Sequence, residues 1–319
     1  MAAWFFGSYV YAGLGITLGY HRLLTHKSLK VPRWLMYVIV AGGYLCLMGS
    51  PIVWVGVHRL HHQKSDEVGD PHSPRRGFKH ALYGWMFKTY EVQNDEELRK
   101  QAADLMKDPI FRWCGDSHSP AQAQRCLAVN IGVRIIIFAA FGLSAMLMNA
   151  LATGIVFWST QAVNAVCHLR SQGYRNFNTR EDSTNVWWVA ILSLGEGWHN
   201  NHHGVPKSAR HGIRWWEFDF TWCTIWLLEK LGLGTDVIRP QLQPAGVPVV
   251  NRDKLTQVTL GKPTASGSHA AAVPEQPPVA STQSQSGAQP NSIGTTNAPS
   301  SLSASSDSVG EPAPVPVEA

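Results

Sequence analysis

The chain has 319 residues, 45% of them hydrophobic and 15% charged, with a formal net charge of +5. That charge is mild and dispersed, which argues against nucleic acid as a partner. The five cysteines, at 46, 114, 126, 167 and 223, form no Cys-x-x-Cys pair, which disfavours an iron–sulfur cluster, a zinc ribbon and a disulfide framework and makes a reducing, cytoplasm-facing site the simplest setting.

Residues 3–20 carry no charge and, at about 1.5 Å per helical residue, are long enough to cross a bilayer. No basic segment precedes them and no small-residue cleavage site follows, so the reading is a membrane span rather than a signal peptide. His21-Arg-Leu-Leu-Thr-His26 comes next. A five-residue step turns about 140° on an α-helix, so this box is expected at a helix end where the backbone bends. Residues 34–57 are also apolar. A crossing there would separate His21 and His26 from His58, His61 and His62 by a bilayer. Gly42-Gly43 and Gly49-Ser50-Pro51 interrupt the run and predict a broken, partly immersed helix pair instead.

Residues 63–126 are polar and predict a water-facing cap, with Asp70-Pro71-His72 after the second box and a charged amphipathic stretch from Glu91 to Lys107. His72, His80 and His118 fall outside the spaced boxes and are expected as surface or hydrogen-bonded residues. Residues 127–146 and 148–167 read as an apolar helical hairpin split near Asn149, from which His168 emerges; Arg134 is its one charge and is expected to snorkel. Every other Lys or Arg lies in 21–126 or after 168, so the positive-inside tendency puts all the histidine boxes on a cytoplasmic face. After the third box, residues 208–220 lead into an amphipathic helix ending near Leu231-Gly232, and His211 is expected to be structural or at the surface. All 13 Trp lie before residue 240, and the Pro-, Ser- and Ala-rich remainder cannot offset its ordering entropy. The expected organisation is an all-α membrane domain over 1–240 with a cytosolic helical cap, then a disordered tail over 241–319.

His58, His61 and His62 stand at i, i+3 and i+4, and His199, His202 and His203 repeat that spacing, so on helices each trio shares one face. With His21, His26 and His168 they make nine imidazoles, enough for two transition-metal ions with four or five ligands each and room for an exchangeable oxygen ligand. Asn164, four residues before His168, is placed to hold such a water. Zinc in this shell would suggest hydrolysis of a lipid ester or amide, and iron would suggest oxygen activation. A site at the membrane edge is reached by a lipid tail, and breaking its unactivated C–H bonds calls for iron.

The ordered set His-x-x-x-x-His, His-x-x-His-His, Asn-x-x-x-His and Glu-x-x-His-Asn-x-His-His, with Gly19-Tyr20-His21-Arg22, Asp70-Pro71-His72 and Ser208-Ala209-Arg210-His211-Gly212, resembles the membrane fatty-acid desaturases, most closely the bacterial form of the stearoyl (Δ9) branch. The resemblance runs from about Leu14 to Pro240. It implies that His21, His26, His58, His61, His62, His168, His199, His202 and His203 bind two irons, with Asn164 holding a metal-bound water. It also implies O2 as co-substrate, a cis double bond as product, and an acyl tunnel lined by Trp54 and Thr160. The family has four spans where three are counted here, which implies a further span before residue 1. The uncharged stretch Gly49–Val57 lacks the headgroup-binding charges of the animal enzymes, so acyl-CoA, an acyl-lipid and an acyl-carrier thioester all stay open. No fused cytochrome domain is visible, implying a separate ferredoxin-like or cytochrome b5-like donor. Competing readings are a di-iron hydroxylase, a zinc amidase, a metal-binding lipid sensor and purely structural histidines. Truncation after residue 245 is expected to leave turnover near that of the full chain, measured as unsaturated product in a producing host; loss of turnover would show that the tail acts on the enzyme.

Overall fold

The computed structural model describes residues 1–87 and 94–240, together with the pairs 249–250 and 257–258. Among the described residues up to 240 the regular elements are all helical. Helix α1 (Ala2–Leu14) runs directly into a π-helical segment, Gly15–Thr25. Next come α2 (Arg33–Tyr44) and α3 (Pro51–Lys64). The cap holds α4 (Phe78–Leu82), α5 (Asp95–Gln101) and α6 (Pro109–Cys114). Two long helices follow, α7 (Pro120–Phe141) and α8 (Leu143–Val166), then α9 (Trp187–Leu192), α10 (His199–Gly204) and α11 (Phe220–Lys230). The expected disorder of 241–319 falls almost wholly outside the described residues; within them, Val249–Val250 and Gln257–Val258 pair as a two-residue antiparallel ladder, a departure from an all-helical chain.

Local chemistry sets the helix starts. Ser50 and Ser119 each cap a helix whose first residue is proline, their hydroxyls accepting from the amides of Ile52 and Gln122. Asn94 caps α5 through the Glu97 amide, and three acidic residues fill its first turn. Helices α7 and α8 are long and apolar enough to cross a bilayer, and only 11% and 28% of their apolar windows are buried. A soluble core helix would be covered. Here Ile131, Ile135, Phe138 and Leu147 face outward, as a lipid-facing hairpin requires. The hairpin turns at Gly142 (φ +83), not near Asn149. Glycine takes that backbone conformation without strain, whereas Asn149 stays helical and donates to the Ser8 hydroxyl of α1 at 3.0 Å.

The expected break between α2 and α3 lies at residues 45–50, with Leu47 and Gly49 at positive φ. Gly42 and Gly43 do not break the helix. They let α2 cross the first helix: a methyl group on Gly15 would stand 2.1 Å from the Gly43 nitrogen, and one on Gly42 would stand 2.5 Å from the Tyr11 carbonyl. This crossing seats Tyr20, Leu24, Val40, Ile52 and Val55 in one core with Ala102 and Phe111 of the cap. A second core, Leu18, Leu23, Leu29, Ala209 and Ile225, ties the π-helical segment to α11. Main-chain bonds between Lys30 and Thr235 fasten the end of the fold to its first loop.

Overpacking a close helix crossing costs about 1–3 kcal/mol. Gly15→Ala is therefore expected to lower the melting temperature of the detergent-solubilised protein, while Gly154→Ala, whose added methyl meets open space, leaves it unchanged; equal melting of the two variants would contradict the crossing.

Candidate metal centre

Each histidine box is delivered by a different local geometry. In the π-helical segment the His26 amide donates to the His21 carbonyl at 3.1 Å, an i→i+5 bond. That winding stacks residue i+5 over residue i, and the two rings lie 4.8 Å apart. The box does end a helix, but π-winding, rather than a bend, brings its members together. On α3 and α10 the i, i+3 and i+4 steps set each trio on one face, and His168 follows two residues after α8 ends.

The nine histidines assemble into two groups. His21, His26, His58, His62 and His202 form one, and His61, His168, His199 and His203 the other; within each, the candidate ligand nitrogens lie within 4.8 Å of one another. The groups adjoin through α3, with the His62 and His203 rings stacked 4.6 Å apart. Nitrogens face nitrogens throughout. The Nε2 atoms of His21 and His202 are 3.1 Å apart, those of His202 and His62 2.8 Å, and those of His168 and His199 3.0 Å. Burial first, then neighbouring imidazoles, hold His199 and His202 well below the ordinary imidazole range. These are the neutral, ligand forms, whose converging lone pairs repel unless a cation lies between them. Nε2 of His26 and of His61 are buried with no hydrogen-bond partner. An all-imidazole, thiolate-free set with orphaned nitrogens fits a borderline transition metal and not Mg2+ or Ca2+.

Carboxylates back the outer nitrogens. Nδ1 of His61 donates to Asp70 at 2.9 Å, Nδ1 of His168 to Asp66 at 2.9 Å, and Nδ1 of His203 faces Glu181 at 3.2 Å. Nδ1 of His21 bonds Glu196, which also accepts from the fully buried Arg22 at 3.1 Å. Burial opposes ionisation of Asp66, but bonds from His168, the Asp182 amide and Ser73 hold its carboxyl down to about 2. Asp70 and Glu181 are held down in the same way, against burial, by His61 and His203 respectively. Carboxylate-to-imidazole bonds of this kind orient metal-binding rings and raise their basicity.

Asp70 and Glu196 lie in motifs visible in the sequence. Asp66 and Glu181 do not: both stand in loops, where no periodicity marks them. His211, expected to be structural or at the surface, is not at the surface. It is 1% exposed, its ring is 4.5 Å from His202, both its nitrogens lack hydrogen bonds, and Nδ1 lies 3.7 Å from Glu196. His72 is buried as well, 4.3 Å ring to ring from His61. His80 Nε2 lies 3.1 Å from the Pro71 carbonyl and His118 Nδ1 3.0 Å from Asp95, in line with expectation.

A cavity of about 350 Å3 opens against both groups. Its lining includes Trp54, Thr160 and Asn164, together with His21, His58 and His199, and is otherwise mostly apolar. Trp54 stacks on His58 at 4.9 Å, making a continuous wall from cavity to histidines. The size suits a small apolar ligand or part of a longer chain.

Comparison with known proteins gives the family. The fatty acid desaturase family model matches residues 1–226. An sn-1 stearoyl-lipid 9-desaturase of Anabaena variabilis is 39% identical over 230 residues, covering 72% of this chain and 80% of that protein. An sn-2 palmitoyl-lipid 9-desaturase of Nostoc sp. (strain 36) is 39% identical over 245 residues, covering 76% and 81%. An acyl-CoA 5-desaturase of Anemone leveillei is 39% identical over 228 residues, covering 71% and 68%. With more than two thirds of its length matched, the chain belongs to the fatty acid desaturase family.

Proposed function

We propose that this chain is a membrane di-iron desaturase that places a cis double bond, at Δ9, in a saturated acyl chain carried on a glycerolipid. The observation that carries the reading is the contact between the apolar cavity and the two histidine groups. His21, His26, His58, His62 and His202 would hold one iron, and His61, His168, His199 and His203 the other, with Asn164 contributing through a water. Iron so bound supplies the oxygen activation needed to break unactivated C–H bonds. The overall reaction consumes O2, two electrons and two protons; one hydrogen leaves each of two adjacent carbons, and the products are the alkene and two waters.

The chain's own residues would do the rest. Trp54, Val53, Val57 and Phe157 would sheathe the acyl chain and exclude water, and Thr160 and Gln161 would set its path on the α8 side. Thr160 bonds back to the Val156 carbonyl at 3.0 Å, a local bond of the kind that bends a helix. The uncharged stretch before the second box supports a glycerolipid over acyl-CoA, as do the two lipid-acting relatives. The site would face the cytoplasm of a bacterial inner membrane, where a separate ferredoxin-like or cytochrome b5-like donor supplies electrons.

Expression in a desaturase-deficient host tests the reading. Membrane glycerolipids are expected to gain cis-Δ9 monounsaturated chains without oxygen from ¹⁸O2, and His202→Ala is expected to abolish them while the protein still inserts. An ¹⁸O-labelled alcohol would establish the hydroxylase instead, and normal unsaturation in the His202 variant would refute the ligand set.

A further inference from the structure

The two histidine groups differ sharply in what stands behind them. The four-histidine group, His61, His168, His199 and His203, has three carboxylates on its outer nitrogens: Asp70, Asp66 and Glu181. All three are buried, at 0%, 3% and 5% exposure. Their other partners are neutral. Asp66 accepts from the Ser73 hydroxyl and the Asp182 amide, Asp70 from the amides of Asp66 and His72, and Glu181 from the Thr179 and Ser183 hydroxyls. Two guanidinium groups come near, yet Arg75 and Arg175 bond the main-chain carbonyls of Asp66 and Glu181, not their carboxylates.

The five-histidine group, His21, His26, His58, His62 and His202, is different. Among the described residues Glu196 is the one carboxylate bonded to any of its rings. Arg22, which is 0% exposed, bridges Glu196 to Asp219, so one positive charge is shared by two carboxylates, of which only Glu196 bonds a ring of the group. The four-histidine group thus has about three carboxylate charges on its rings with no cation bonded to them, and the five-histidine group about one net negative charge behind it. Ligand number favours the second group, whereas charge favours the first. Charge dominates for a divalent cation in a buried, poorly screened site, and each carboxylate behind a ligating histidine is typically worth about 10–100-fold in metal affinity.

We propose that the two metal centres are unequal: Asp66, Asp70 and Glu181 act as positioning residues that make the four-histidine centre the tighter one, so that the five-histidine centre loses its metal first. This rests on the di-iron reading above and concerns affinity alone.

The test uses the full-length protein, loaded anaerobically with 57Fe(II) in detergent and challenged with excess of an iron(II) chelator. Iron per chain and the Mössbauer spectrum are followed together. The expected course is two phases of equal amplitude, with one quadrupole doublet fading before the other. Asp66→Asn is expected to speed the slow phase by about 10–100-fold and leave the fast one alone; Glu196→Gln is expected to touch only the fast phase. Because Asp66 also holds a loop, Glu181→Gln provides the same readout with that loop intact. Loss of both irons in one phase, or a speeding of the fast phase by the Asp66 and Glu181 variants, would overturn the inequality while leaving the desaturase reading standing. A chain that takes up no iron would overturn both.

Discussion

Nine imidazoles, six buried and three half-buried, with their nitrogens pointing at one another are the constraint on which the rest of this structure depends. Neutral imidazole offers one donor and one acceptor. Where one nitrogen is committed to a carboxylate, as in His21, His61 and His168, the other is turned toward the remaining imidazoles of its group. Desolvating several such atoms without a partner costs about 1–3 kcal/mol each. A metal ion removes the conflict at once, so bound metal and the packed fold would stabilise each other.

The fold can be understood as the means of bringing those rings together. Glycines at 15, 42 and 43 allow the first two helices to touch backbone to backbone, which presses the π-helical segment and its two histidines against α3. The hairpin of α7 and α8 carries His168 back to the same place, and α10 sets its trio opposite. Loops supply charge rather than ligands: Asp66 and Asp70 arrive from the loop after α3, and Glu181 from the loop before α9. Apolar residues of α3 and α8 then line the cavity that ends on the histidines. The apolar cavity and the all-imidazole centre are thereby joined beside the hairpin of α7 and α8.

Much of this is written in periodicity. The i, i+3, i+4 trios could be placed on helix faces because side-chain direction follows from helical geometry alone, and the apolar runs marked the hairpin. Other features were hidden for physical reasons. An i+5 pair looks misaligned until the winding itself changes to i→i+5, and nothing in His21–His26 specifies that change. The hairpin turn was hidden because Gly142 is one glycine in an apolar run, while Asn149 mimics a break and in fact donates inward to Ser8. Gly42-Gly43 mimicked a helix break too, yet serves a helix crossing. Asp66, Glu181 and His211 act through tertiary contact, and tertiary contact leaves no spacing to read.

Anomalous scattering at the iron edge from crystals of the iron-loaded protein tests the central claim most directly. Two peaks are expected, one among the Nε2 atoms of the group containing His21 and His202, the other within the group containing His168 and His199. A single peak, or peaks away from these rings, would contradict the account.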